Sequence, residues 1–374
     1  MHTNIIRNTT VFISINVCFF LIAFIFFQFE NKYFLQNGIA PWDGAIFKHI
    51  ILSLNDKSFT IIQNHFLDPH SSKLVFIYFV NFIKNYFTLS IINSMFWVNI
   101  ASCYLLFLII FYFLGYFKKN VILQLILTLS LFFLWNGQLR LSIYNPSYPF
   151  AFNTLLISLS TMSIFFLIEK RNYYLLIIIP FIILITLQRY VIISSLTLTI
   201  LLLLIFNNLS TNNIYLIKIK NFFHFKKVDY LDVIKNKILI LLSIIILCII
   251  YVKLISLKGG LFSFFKIIIK FSYFHLHPLE FIYSFYFAYG ALFLVFVPCI
   301  IIPKLRKDFF LSFNKISKIQ KIILISIFLN SVLLANLGGD DSSRFLLWFA
   351  PWYLLIFYIS VLSVIKNYRI SILI

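Results

Sequence analysis

Long apolar runs, broken at intervals by short polar segments, set the pattern of this chain. A hydrocarbon core is crossed by ~20 apolar residues in a helix. By that measure the runs at about 9–29, 89–116, 121–136, 148–168, 173–187, 190–206, 238–257, 281–302, 322–337 and 345–365 each predict a membrane-crossing helix. The apolar positions are continuous rather than alternating, which argues against a β-barrel. The run at 121–136 is short, and 173–206 reads equally as a tight hairpin or as one broken helix. Arg7 precedes the first run and no small-residue cleavage site follows it, so that run reads as a retained anchor rather than a removed signal peptide. No Pro/Gly/Ser-rich linker interrupts the series. No internal repeat is visible, which weighs against the inverted-repeat transporter folds. The expected architecture is all-α: a single integral membrane domain over 1–374, built as a polytopic transmembrane helix bundle of about ten spans.

Composition sharpens this. The chain is 62% hydrophobic and 11% charged, with 48 Phe, whereas a soluble domain carries about 25% charged residues. A soluble globular enzyme, a disordered chain and a small disulfide scaffold are excluded. The net charge of +20 would suggest nucleic acid in a soluble protein; here it reports which side of the membrane each loop occupies, and no nucleic acid is expected. With the N-terminus inside, the inner segments hold 19 of the 31 Lys and Arg, and seven of the 11 acids fall outside. An even number of spans then leaves both termini cytoplasmic. The two lysine-rich inner loops, at 218–237 and 304–321, most simply fix this topology, with a weak attraction to anionic lipid besides. Cys18, Cys103, Cys248 and Cys299 lie scattered in apolar runs with no C-x-x-C pair, which fits small buried hydrophobes and not zinc or redox chemistry.

Because so many positions are apolar, the polar exceptions carry the functional signal, and they gather on the outer side. The first outer loop, 30–88, opens on Asn37-Gly38 and Pro41 and continues as Trp42-Asp43-Gly44-Ala45-Ile46-Phe47-Lys48-His49-Ile50. Ile46, Phe47, Ile50 and Ile51 share one helical face, which predicts an amphipathic helix along the membrane surface with Trp42 at headgroup level. A second is expected at 74–84. Asp43 suits an N-cap, and equally a carboxylate at the lipid–water boundary that takes a proton from an acceptor hydroxyl. Asp68, in His65-Phe66-Leu67-Asp68-Pro69-His70, is a second outer acid. The histidine spacing is not that of a metal-binding helix, but a divalent cation held by Asp43 or Asp68 with a substrate phosphate stays open. Arg140 precedes Tyr144-Asn145-Pro146-Ser147-Tyr148-Pro149, and Arg189 stands between two apolar runs; each either snorkels to the interface or holds phosphate. The loop at 258–280 suits another interfacial helix. The last outer loop reads Gly338-Gly339-Asp340-Asp341-Ser342-Ser343-Arg344 before Trp348 and Pro351. With Asp341 or Ser342 as N-cap of the final span, Arg344 falls in its first turn, against the helix dipole, which points to a partner anion: Asp341 or a ligand phosphate.

These stretches together resemble the GT-C glycosyltransferases, polytopic enzymes that use polyprenyl-phosphate sugars. Trp42-Asp43-Gly44 with Phe47 and Ile50 resembles the Trp/Tyr-Asp-Gly-x-x-Phe/Tyr-x-x-Ile pattern in the first outer loop of bacterial members and of GPI-mannosyltransferase relatives. Tyr148-Pro149 resembles a mid-chain Tyr-Pro segment, and Asp341-Ser342-Ser343-Arg344 with Pro351 is similar to a late Asp-x-x-Arg-then-Pro stretch. Two departures stand out: the acid that often follows Tyr-Pro is absent, with Asn153 the nearest polar residue, and a common Arg-Glu pair stands as Arg189-Tyr190. The resemblance implies a bacterial cytoplasmic-membrane enzyme. It would move a sugar from a polyprenyl-phosphate donor to a hydroxyl of a glycan or lipid-linked acceptor, with inversion and with Asp43 as general base. Arg344, Arg189 and Arg140 would serve the donor phosphate; Asp341 would orient Arg344 or bind sugar; Trp42 and Trp348 would stack on a ring or anchor at the interface. Rival readings are a flippase or transporter of lipid-linked sugars, a glycan polymerase or ligase, and an inactive relative of the same family.

Overall fold

The computed structural model describes residues 2–35, 48, 50–52, 74–117, 120–133, 138–144, 146, 148–170, 278–337 and 346–368. Among them the chain is helical and contains no strand. The expected spans at 173–187, 190–206 and 238–257 lie outside the described residues, as does the expected interfacial helix at 258–280 up to residue 277; residues 278–280 begin a helix.

The helices are α1 (His2–Leu35), α2 (Leu74–Phe87), α3 (Ile91–Phe117), α4 (Val121–Phe133), α5 (Gln138–Tyr144), α6 (Phe150–Lys170), α7 (Pro278–Tyr289), α8 (Ala291–Ile301), α9 (Pro303–Asn314), α10 (Lys318–Leu337) and α11 (Ala350–Tyr368). Two are long and apolar enough to cross a membrane: α1 over Val11–Gln28, and all 27 residues of α3, about 40 Å at 1.5 Å per residue. Shorter apolar helices cover Val121–Phe132, Phe150–Met162, Leu292–Ile301, Gln320–Val332 and Ala350–Lys366.

Local chemistry sets several boundaries. Ser90 caps α3 by accepting from the Asn93 N–H, and Asn120 caps α4 by accepting from the Leu123 N–H. Ser317 and Gln320 form a reciprocal capping box at the start of α10: each side chain takes the other's backbone N–H. The run expected as one span at 281–302 is two helices. Gly290 separates them with φ 51 and ψ −123, a conformation that glycine alone adopts without strain. The final helix begins at Ala350 rather than 345. Residues 346–347 are helical and 348–349 form a turn, because Pro351 has no N–H to carry a helix through from upstream.

α3 is the hub, packing against α2, α4, α5, α6 and α11; α11 in turn packs against α3, α4, α6, α8 and α9. On α1, Ile15, Phe19 and Ile22 are buried, with Phe19 against Phe107 and Phe132. Ile13, Val17, Phe20, Leu21 and Phe24 of the same helix are exposed. A helix apolar on both its buried and its free face is not explained by a core alone, and that pattern suits lipid. α3 repeats it with exposed Leu105, Tyr112 and Tyr116. A polar pair joins two of the apolar helices: Tyr104 of α3 donates to Asn16 Oδ1 of α1.

Candidate functional site

Of the residues singled out from the sequence, Arg140 and Trp348 are described, and Trp348 is buried within protein where an interfacial anchor would be exposed; Trp42, Asp43, Asp68, Arg189, Asp341 and Arg344 lie outside the described residues. The structure therefore shows the frame around them: the stretches that adjoin each motif and what holds those stretches in place.

The first adjoins Trp42-Asp43-Gly44. Residues 50–52 are helical, as the periodicity predicts. Ile50 and Ile51 are buried among Phe76, Ile77 and Val80 of α2, Ile91, Met95 and Val98 of α3, and Phe152 and Leu156 of α6. Lys48 is exposed. At these two positions the apolar face meets protein, where an interfacial helix would have laid it in lipid. The second predicted helix of this loop is present as α2, three residues longer than expected. It closes over the Ile50–Ile51 contact, and its end turns into α3 through Thr88, at φ 52.

The second frame holds the mid-chain Tyr-Pro segment. Asn99, fully buried on α3, donates from Nδ2 to the Pro146 carbonyl at 2.8 Å and to the Tyr148 carbonyl at 3.1 Å. Two carbonyl acceptors require a donor, so the amide orientation is fixed by chemistry. Tyr148 O also accepts from Phe150 N, and Asn153 N bonds Pro149 O, which starts α6 directly after the proline. Asn153, at the position nearest the family's missing acid, is buried in the first turn of α6. Arg140 sits half-buried on α5, a seven-residue helix packed against α1, α3, α4 and α6. Cys103 of α3 contacts Ser142 of α5 at 3.5 Å.

The third frame follows Arg344. Leu346, Leu347, Trp348 and Phe349 are all buried. The Tyr289 hydroxyl, at the break between α7 and α8, donates to the Leu346 carbonyl at 2.8 Å. Irregular backbone among apolar helices persists only where protein satisfies it, and this bond does so. Trp352 then donates from Nε1 to Thr161 Oγ1 of α6 at 2.8 Å and sets its ring edge-on to Phe113 and Phe165, at 5.0 Å and 5.8 Å between centroids.

The three frames share one support, the α3–α6 pair, but at different levels. Ile50 and Ile51 meet α3 no further along than Val98, while Trp352 meets it at Phe113, about 22 Å further along the helix at 1.5 Å per residue. On α6 the corresponding contacts run from Leu156 to Phe165, about 14 Å. Residues 346–349, which follow the last loop, are therefore packed within the helices.

Sequence reasoning passed over Asn99, Thr161 and Tyr289. Asn99 carried a usable signal: an amide inside an apolar run needs a partner, and such residues are rare without a task. Among the described residues, no group of three or more His, Cys, Asp or Glu gathers to hold a metal ion. No family model, no curated protein and no solved structure matches the chain.

Proposed function

We propose that this protein is a multi-pass enzyme of the bacterial cytoplasmic membrane, with about ten spans and both termini cytoplasmic. It transfers a sugar from a polyprenyl-phosphate donor to an acceptor hydroxyl at the outer face. The observation that carries the reading is the common support: the stretches adjoining all three family-like motifs dock on the same two helices, α3 and α6. Asp43 stands seven positions before Ile50 and Arg344 eight before Trp352. On this reading both side chains face one pocket at the outer side.

In that pocket Asp43 takes the proton of the acceptor hydroxyl. The oxygen attacks the anomeric carbon, the bond from that carbon to the phosphate oxygen breaks, and polyprenyl phosphate departs with the configuration inverted. One carboxylate suffices for a single displacement. Arg344, with Arg189 or Arg140, faces the phosphate as its charge grows, where low dielectric strengthens each contact. Asp341 orients Arg344, Trp42 stacks on the sugar, and Asp68 shares the first outer loop with Asp43; either acid would hold a divalent cation, which would supply Lewis-acid charge neutralisation. Ion-coupled transport is the weaker reading, because it calls for ionisable side chains along a path within the spans. The buried polar residues described in the helices are Ser, Thr, Asn and Gln, apart from Lys321 near the start of α10.

The test is transfer of radiolabel from a polyprenyl-phosphate sugar by the purified protein. An Asp43→Asn variant that still folds is expected to lose about 10²–10⁴-fold in rate, the worth of a positioned general base. Arg344→Ala is expected to raise the donor KM. Transfer unchanged by Asp43→Asn removes that residue from the base role.

A further inference from the structure

The basic loop at 304–321 contains a helix, α9, that the charge pattern did not predict. Its face against the protein is apolar: Leu305 and Phe309 are buried, and Phe309 stacks on Phe313 at 6.0 Å, with α8 and α11 behind them. Asp308, its one acid, pairs with Lys366 of α11 at 2.9 Å. The rest of its surface is cationic. Lys304, Arg306 and Lys307 are exposed. Leu311, also exposed, follows Lys304 and Lys307 at i+7 and i+4, so a leucine lies on one helical line with two lysines.

The chain enters α9 through a corner. Ile302 is extended, with φ −76 and ψ 118; it ends α8 by bonding Pro298 O and starts α9 by accepting from Arg306 N, with Pro303 at the first helical position. Ile300, Ile301 and Ile302, just before the corner, are exposed. Exposed isoleucines at the end of an apolar helix mark a hydrocarbon boundary, and the cations begin two residues beyond it. A short helix with a protein-buried apolar edge, a lysine-flanked leucine and its acid already neutralised has the form of a headgroup-level element.

We propose that α9 is a docking surface for anionic phospholipid headgroups of the cytoplasmic leaflet. Lys304, Arg306 and Lys307 would meet the lipid phosphates while Leu311 enters the acyl boundary. The proposal rests on the membrane-spanning reading and is independent of the transferase reading.

Native mass spectrometry of the full-length protein released from bilayers of phosphatidylcholine and phosphatidylglycerol tests it. The parent is expected to retain phosphatidylglycerol in preference to phosphatidylcholine. A basic residue near an anionic surface contributes about 1 kcal/mol, roughly fivefold, so the Lys304→Gln/Arg306→Gln/Lys307→Gln triple variant should lose that preference by up to the order of 100-fold. A triple variant that keeps the parent's preference overturns the proposal, as does a parent with none. Failure to retain either lipid would count instead against the membrane reading. Should the triple variant not fold, a fluorophore at Leu311→Cys in a cysteine-free background decides: quenching by brominated phosphatidylglycerol in proteoliposomes supports the surface, and an unquenched label overturns it.

Discussion

Asn99→Ala is the perturbation whose cost the structure specifies best. Asn99 is fully buried, and its Nδ2 is shared between two carbonyls 47 and 49 residues away in sequence. The two acceptors do not suffer equally. Tyr148 O keeps the Phe150 N–H at 2.7 Å, while Pro146 O is buried and loses the amide that satisfies it. An abandoned buried acceptor costs about 1–3 kcal/mol and the loss of a second, shared bond about 1 kcal/mol, so the variant should be less stable by roughly 2–4 kcal/mol. Reversible unfolding by SDS in mixed micelles measures this. Asn99→Leu separates the causes, because it refills the volume but offers no donor; it should recover little. A cysteine at Ser147 should also become more reactive to a membrane-impermeant maleimide in the Asn99→Ala background. A loss below about 0.5 kcal/mol, within the ordinary range for inconsequential substitutions, would refute the claim that this amide pins the Tyr-Pro segment. Full recovery by Asn99→Leu would show that packing, not hydrogen bonding, does the work.

Three further outcomes follow from the same geometry. Thr161→Val keeps the shape of the side chain but removes the acceptor of the Trp352 N–H, so stability should fall by about 1–3 kcal/mol in the same assay, with Thr161→Ser close to the parent. Gly290→Ala forces a side chain onto φ 51 and ψ −123, and a strained residue costs on the order of 1–3 kcal/mol; the loss should appear in the unfolding midpoint together with exposure of Tyr289. Lys366→Ala should change stability by less than about 1 kcal/mol, since Lys366 is 72% exposed and an exposed ion pair is worth little; a larger loss would mean that the pair holds α9 in place.

Much of the helical layout was legible because apolar run length is a one-dimensional signal. The expected 89–116 appears as Ile91–Phe117, 148–168 as Phe150–Lys170 and 322–337 as Lys318–Leu337. What escaped depends on local breaks and on distant partners. Gly290 is one residue in an apolar run, and its positive φ has no signature beyond its identity. Pro351 did carry a signal: it marks why the helix restarts at Ala350, and reading the run at 345–365 by hydropathy alone overlooked it. α9 was hidden by its charge. Six basic residues suggested topology only, while Leu305, Phe309 and Phe313 at i, i+4 and i+8 already spelled an amphipathic helix. The site was legible as motifs but not as a place. Nothing near Asn99 in sequence announces Pro146, and nothing near Trp352 announces Thr161, 191 residues away. Such contacts depend on which helices become neighbours, and run lengths do not encode that.

In the proposed enzyme Asp43 and Arg344 face one pocket on the outer side. Paired cysteines at these positions, in a cysteine-free background and in native membranes, test it most directly. Both are expected to label with a membrane-impermeant maleimide applied from outside, to be joined by a short bis-maleimide, and to be protected together by polyprenyl phosphate. Labelling from opposite sides of the membrane, or no cross-link while each cysteine reacts freely from the outside, would contradict it.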